Sequence, residues 1–201
     1  MGHQPAYETV DAIERATVVV DCTPAGLENK SRWYAAATGP RGFIAQGSEH
    51  GFGKAYARGV NDRALVPGDD RFVHVVSCNT HNMAALIRSL ALDDDGRSHL
   101  VDGRFVCMRR ANDVSQDEEF VAAPTVGKHD DLRFGTHHAR DAHDLFATLG
   151  LDLPVWSSAI KLPTQYMHAI WFSLTLDQPV TLEAAKARLR QNPHVARTRK
   201  R

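Results

Sequence analysis

The chain has 201 residues, 43% hydrophobic and 24% charged, with Lys+Arg and Asp+Glu both at 24 and a formal net charge of zero. That length buries a core without disulfide staples, and the composition excludes a disordered segment, a collagen-like rod and a cysteine-built miniprotein. Balanced charge argues against coating nucleic acid, and no apolar run approaches the roughly 18 residues of a membrane span.

The chain opens Met1-Gly2-His3-Gln4-Pro5-Ala6-Tyr7-Glu8, with no basic segment before an apolar run, so no signal peptide is expected. The cysteines are Cys22, Cys78 and Cys107, an odd count that fits reduced thiols in the cytoplasm. No Cys-x-x-Cys or His-Glu-x-x-His occurs, and no metal site is expected. The terminal Arg197, Arg199, Lys200 and Arg201 read as a solvated basic tip.

Val10 to Arg15 reads as a helix. Thr17 to Asp21 is a β-branched run stopped by Cys22-Thr23-Pro24-Ala25-Gly26, the pattern of a buried parallel strand entering a loop. Glu28 to Ala37 reads as a helix broken by Gly39-Pro40. Phe43 to Gly47 is a second strand, residues 48–70 are mostly loop, and Phe72 to Val76 is a third strand. That strand runs into Ser77-Cys78-Asn79-Thr80, and Met83 to Leu92 follows with Met83, Leu86, Ile87 and Leu90 at helical spacing. Such alternation predicts an α/β layer with parallel strands.

The second half differs. Arg104 to Met108 reads as a strand ending at Arg109-Arg110, and residues 111–136 as a long polar stretch, functional or disordered. Asp141 to Leu149 reads as a helix, and Val155 to Ile160 and Ala169 to Leu176 as strands. Thr181 is an N-cap for a helix through Leu189, which Pro193 ends. This predicts an α+β part with a mostly antiparallel sheet.

Cys78 carries the most chemistry. A thiol where a strand gives way to a helix feels the positive end of the helix dipole, which favours thiolate. The same N–H groups can hold a developing oxyanion, so Cys78 is a candidate nucleophile towards a carbonyl; the alternative is a buried thiol that only packs. His168, just before the strand 169–176, is a candidate base. Arg109-Arg110 and His137-His138 are candidate anion ligands, or else an exposed polar rim. Cys22 and Cys107 read as packing residues.

These residues resemble the archaeal-type (type II) glyceraldehyde-3-phosphate dehydrogenases. Val75-Val76-Ser77-Cys78-Asn79-Thr80 looks like the family's active-site segment. Val19-Val20-Asp21-Cys22-Thr23-Pro24-Ala25-Gly26 resembles its Asp-x-Thr-Pro-x-Gly turn, and Ile44-Ala45-Gln46-Gly47-Ser48-Glu49 its Gln-Gly-Gly-Glu segment. Met108-Arg109-Arg110-Ala111-Asn112-Asp113 resembles its paired-Arg strand end. Thr136-His137-His138-Ala139-Arg140-Asp141 and Leu162-Pro163-Thr164-Gln165-Tyr166-Met167-His168 match its Ser-His-His-x-x-Asp and Pro-x-x-x-Met-His. The blocks occur in the family's order across residues 10–195.

The resemblance implies a partial Rossmann-type parallel sheet over residues 1–77, joined to a catalytic domain over 78–201. It implies Cys78 as the nucleophile and His168 as the acid/base. Ser77, Asn79, Arg109, Asn112, His137 and His138 would line the substrate site, and Gly47 and Arg110 the cofactor site. The implied reaction is glycolytic: oxidation of a small phosphorylated aldehyde, through a thiohemiacetal and a thioester, with NAD or NADP and inorganic phosphate. A homo-oligomer is implied; no nucleic acid or membrane partner is. The chain is expected to lack the family's Gly-x-Gly-x-x-Gly turn and its C-terminal end, and His81-Asn82-Met83 replaces the usual Thr-Gly-Leu. Two other readings therefore stand beside the oxidoreductase: a non-redox binding or assembly module, and a hydrolase using Cys78 and His168 without a cofactor.

Overall fold

The computed structural model describes residues 4–47, 49–110, 123–164 and 167–198, and the chain divides into two compact units, Met1–Ser77 and Cys78–Arg201. In the first, α1 (Thr9–Arg15) leads to β1 (Val18–Asp21), and α2 (Gly26–Asn29) continues into a π-helical turn, Lys30–Tyr34. Then come β2 (Gly42–Gly47), β3 (Lys54–Tyr56), a short 3-10 turn at Asp62–Ala64, and β4 (Phe72–Val76). The strands run β1-β2-β4-β3, and every pair is parallel.

An aromatic stack fills this unit's core. Phe43 is fully buried between Tyr34 and Phe72, with ring centroids 4.9 Å away on either side. Parallel strands end together, so Asp21, Gly47 and Val76 lie along one edge of the sheet. There the buried Asp21 carboxylate closes the turn that follows β1. It accepts from the backbone N–H and the hydroxyl of Thr23, from Asn29 and from the Tyr34 hydroxyl, at 2.7 to 2.9 Å.

Three expectations change here. The expected helix 28–37 is a one-turn α-helix followed by the π-turn. The expected loop 48–70 contains β3, which is too short and too polar to announce itself; the Lys54 ammonium is satisfied by Asp70 and the Ala64 carbonyl, which lets it sit in a strand. Cys22 is exposed rather than packed, because β1 has already ended at Asp21.

The second unit comprises α3 (Cys78–Leu90), β5 (Leu100–Arg110), β6 (Thr125–Val126), α4 (His137–Ala147), β7 (Val155–Leu162), β8 (Ala169–Leu176) and α5 (Leu182–Gln191). Its sheet runs β6-β7-β5-β8. The pairs β5–β8 and β6–β7 are antiparallel, while the long central pair β5–β7 is parallel. The architecture is thus α/β followed by α+β, as expected, with a mixed second sheet. Met83, Ile87, Phe105, Leu145 and Phe146 are fully buried in its core. Thr181 caps α5 by accepting from the Ala184 N–H, and Arg188 of α5 donates to the Leu90 carbonyl at the end of α3. Among the described residues, no helix is long and apolar enough to cross a membrane.

Candidate active site

The strand-to-helix junction is tighter than the sequence suggests. β4 ends at Val76 and α3 begins on Cys78 itself, five residues before the apolar periodicity does. One residue rotates a helix by about 100°, so neighbours meet different surroundings: Asn79 and Thr80 are buried, while Cys78 is exposed. The packing alternative for Cys78 therefore fails. Cys78 belongs to the first turn of α3, whose N–H groups have no intrahelical acceptor. Ser77, the last residue of the first unit, is buried.

β5 supplies Arg109. Side chains alternate along a strand, so Arg109 shares the inward face with the fully buried Phe105 and Cys107, and Arg110 takes the opposite face. The paired arginines do not form one anion clamp. Cys107 packs as expected, its Sγ 3.9 Å from the Met83 sulfur. Burial pushes its thiol up to about 12, with Arg109 opposing that rise and charge on Cys78 adding to it.

α4 starts at His137, four residues earlier than expected. Its cap is tertiary: the Thr136 hydroxyl lies 2.7 Å from the Ser157 hydroxyl of β7, and Ser157 Oγ accepts from the Ala139 N–H at 3.1 Å. Thr136 is the residue before the helix; nothing in the sequence singles out Ser157. This clasp fixes His137 and His138, whose ring centroids are 4.0 Å apart. Burial lowers the affinity of both imidazoles for a proton. His138 drops to about 3, with charge on His137, Arg109 and His168 adding to the burial. Asp141 partly opposes the drop at His137.

The second unit thus gathers Arg109, His137 and His168 within electrostatic range of His138, with Cys107 linking Arg109 to Cys78. Asn79 Oδ1, Arg109 Nε and both ring nitrogens of His138 are buried without a hydrogen-bond partner. Buried polar atoms ordinarily find partners. Three orphaned groups of mixed donor and acceptor character, with an imidazole held neutral beside a guanidinium, can receive a polar, anionic ligand.

Asn112 lies outside the described residues, as do Ser48, Gln165 and Tyr166 of the quoted motifs. Gly47 closes β2 in the first unit with φ +86°, and nothing stands within 4 Å of where a Cβ would be. A φ in that region favours glycine.

No protein-family model matches the chain. Among curated proteins it is 26% identical over 195 residues to glyceraldehyde-3-phosphate dehydrogenase 1 of Methanosarcina barkeri, covering 95% of this chain and 54% of that protein. It is 30% identical over 189 residues to the glyceraldehyde-3-phosphate dehydrogenase of Metallosphaera sedula (92% and 51%). It is 28% identical over 193 residues to that of Archaeoglobus fulgidus (92% and 52%). The resemblance to archaeal glyceraldehyde-3-phosphate dehydrogenases is therefore borne out along nearly the whole chain, and the chain spans about half the length of the curated relatives it matches.

Proposed function

We propose that the chain carries the thiol and substrate-binding part of a glyceraldehyde-3-phosphate dehydrogenase-like oxidoreductase. The observation that carries this reading is the set of orphaned buried groups on Asn79, Arg109 and His138, in the unit whose first residue is the exposed Cys78. Residues 1–77 would be the second half of a dinucleotide-binding domain and residues 78–201 the catalytic domain.

In this reading the Cys78 sulfur adds to the aldehyde carbon, and the first-turn N–H groups of α3 receive the oxygen. His168 takes the hydroxyl proton. The Arg109 guanidinium supplies charge to the substrate phosphate. His138 stays neutral, because its imidazole protonates only near pH 3, and so keeps an acceptor nitrogen as well as an N–H donor. Ser77, Asn79, Asn112 and His137 complete the substrate contacts.

NAD or NADP is the implied cofactor; when bound it supplies the hydride acceptor that the thiol chemistry needs. The residues fit one part of it: Gly47 leaves a backbone surface open at the C-terminal edge of a parallel sheet, where such ligands bind. Arg110 is assigned to the same ligand by resemblance alone. A cytoplasmic homo-oligomer belongs to this reading, and the exposed Val18 and Val20 on the edge strand β1 support self-association.

The test is turnover of the purified chain with glyceraldehyde 3-phosphate, inorganic phosphate and NAD or NADP. Reduced nucleotide is expected, and Cys78→Ala should abolish it. If no nucleotide is reduced and intact mass shows no adduct on Cys78, the reading is wrong. A second reading, a non-redox binding or assembly module, is favoured by one observation: His81-Asn82-Met83 stands where the resemblance gives Thr-Gly-Leu. Calorimetry decides that point, since ordinary micromolar affinity for NAD or NADP excludes the module.

A further inference from the structure

We propose that a cleft at the start of β5 and β7 binds a small aromatic phosphate ester, with Arg104 and Arg133 holding both its phosphate and its ring. The proposal goes beyond the oxidoreductase reading and does not depend on it.

The cleft lies within the second unit and measures about 430 Å³, a size that suits a small organic ligand. Arg104 and Trp156 stand opposite each other on the parallel pair β5–β7, so their side chains share one face of the sheet. Arg104 precedes Arg109 by five residues on β5. That is about 17 Å along the strand, and the odd spacing puts the two arginines on opposite faces. The cleft is therefore separate from the Arg109–His138 cluster. The buried Phe134, Leu153 and Val155 give it an apolar lining.

Its aromatic wall is held in place. Trp156 Cε2 presses on the Gly135 backbone, 2.6 Å from where a Cβ would stand. The His129 ring stacks on the indole with centroids 6.0 Å apart, and both of its nitrogens are bonded, to the Gly127 carbonyl and the Ser158 hydroxyl. The arginines lie on aromatic rings. Arg104 Cζ is 5.8 Å from the Trp156 centroid, and Arg133 Cζ is 4.7 Å from that of Phe134.

Each guanidinium is tied by one edge only. Arg104 donates to both Asp102 oxygens through Nε. Arg133 uses Nη2, which donates to Asp152 and meets His143 Nε2. Among the described residues nothing bonds the two Nη groups of Arg104, nor Nε and Nη1 of Arg133. A guanidinium lying on one ring keeps a second flat face for another, and its open N–H edge fits phosphate oxygens. A single ligand that uses both is a ring carrying a phosphate. Two arginines also suit the nearly double charge of a phosphate monoester. The two carboxylates offset part of this attraction, but the Asp152 side chain is 81% exposed, where water weakens its influence.

Mononucleotides and aryl phosphates share this chemistry, and AMP and phenyl phosphate are the probes that separate them. Proton–nitrogen correlation spectra of the full chain read the indole N–H signals of its three tryptophans, Trp33, Trp156 and Trp171, and Trp156→Phe identifies the one that matters. Titration with one probe or both should move the Trp156 signal and half-saturate below about 1 mM; the tighter probe shows which kind of ester the cleft takes. Arg104→Gln and Arg133→Gln, both at exposed side chains, should each weaken binding about tenfold. Inorganic phosphate should bind at least about tenfold more weakly than the tighter ester. A Trp156 signal that both probes leave in place overturns the proposal. So does full affinity in either arginine variant, or inorganic phosphate binding as tightly as the esters.

Discussion

His138 shows how burial sets chemistry at a single side chain. Only 2% of it is exposed, and desolvation, reinforced by charge on His137, Arg109 and His168, brings its proton affinity down to about 3. In the unfolded chain the same ring titrates near pH 6.5. Between those values the unfolded state binds the extra proton, so stability falls as pH drops through the window from about 6.5 to 3. His138→Gln removes this pH dependence. Urea unfolding at several pH values should show a slope shallower by up to about 1.4 kcal/mol per pH unit than the wild type's in that window. Equal slopes would mean that His138 is solvated. Asp21 shifts in the same direction for a different reason. Burial raises its proton affinity, but hydrogen bonds from Asn29, Thr23 and Tyr34 outweigh burial and lower it overall. Its contribution is present above the ordinary carboxylate range and is lost as pH falls through the lowered value.

Elements end where a particular contact demands it. Gly135 sits at φ +74° just before α4, and a Cβ there would run into the Ser157 carbonyl oxygen and stand 2.6 Å from Trp156 Cε2. Only a bare backbone lets the loop approach β7 closely enough for the Thr136–Ser157 clasp. Gly135→Ala should therefore destabilise the protein by at least about 2 kcal/mol in urea unfolding. A neutral change would mean that the loop does not press on β7. The expected α4 began at Asp141 because apolar periodicity starts late; the polar His137-His138-Ala139-Arg140 turn is helical because Ser157 caps it. α3 likewise starts before its apolar periodicity, at Cys78. In contrast β1, β2, β4 and β8 stand close to their apolar runs, because branched and aromatic side chains favour extended backbone.

At the scale of the molecule, each unit has its own core. The Tyr34–Phe43–Phe72 stack fills the first, and Met83, Ile87, Phe105, Leu145 and Phe146 fill the second. Phe43→Ala removes a fully buried ring, a cost of about 3–5 kcal/mol. Hydrogen exchange should then lose protection mainly in β2 and β4, while β5 and β7 keep theirs. Uniform loss across both sheets would show that the two cores unfold together.

What sequence alone determined is the alternation of strands and helices, the change of architecture after residue 77, and which residues are candidates for chemistry: the ordered motifs single out Cys78, Arg109, His137, His138 and His168, each a reactive or charged group near an element end. It could not decide their state. Strand parity separates Arg109 from Arg110, helix rotation exposes Cys78 while burying Asn79, and a serine from another strand starts α4. Those outcomes depend on which distant surfaces exclude water from a given atom, and that is settled only when the chain has packed.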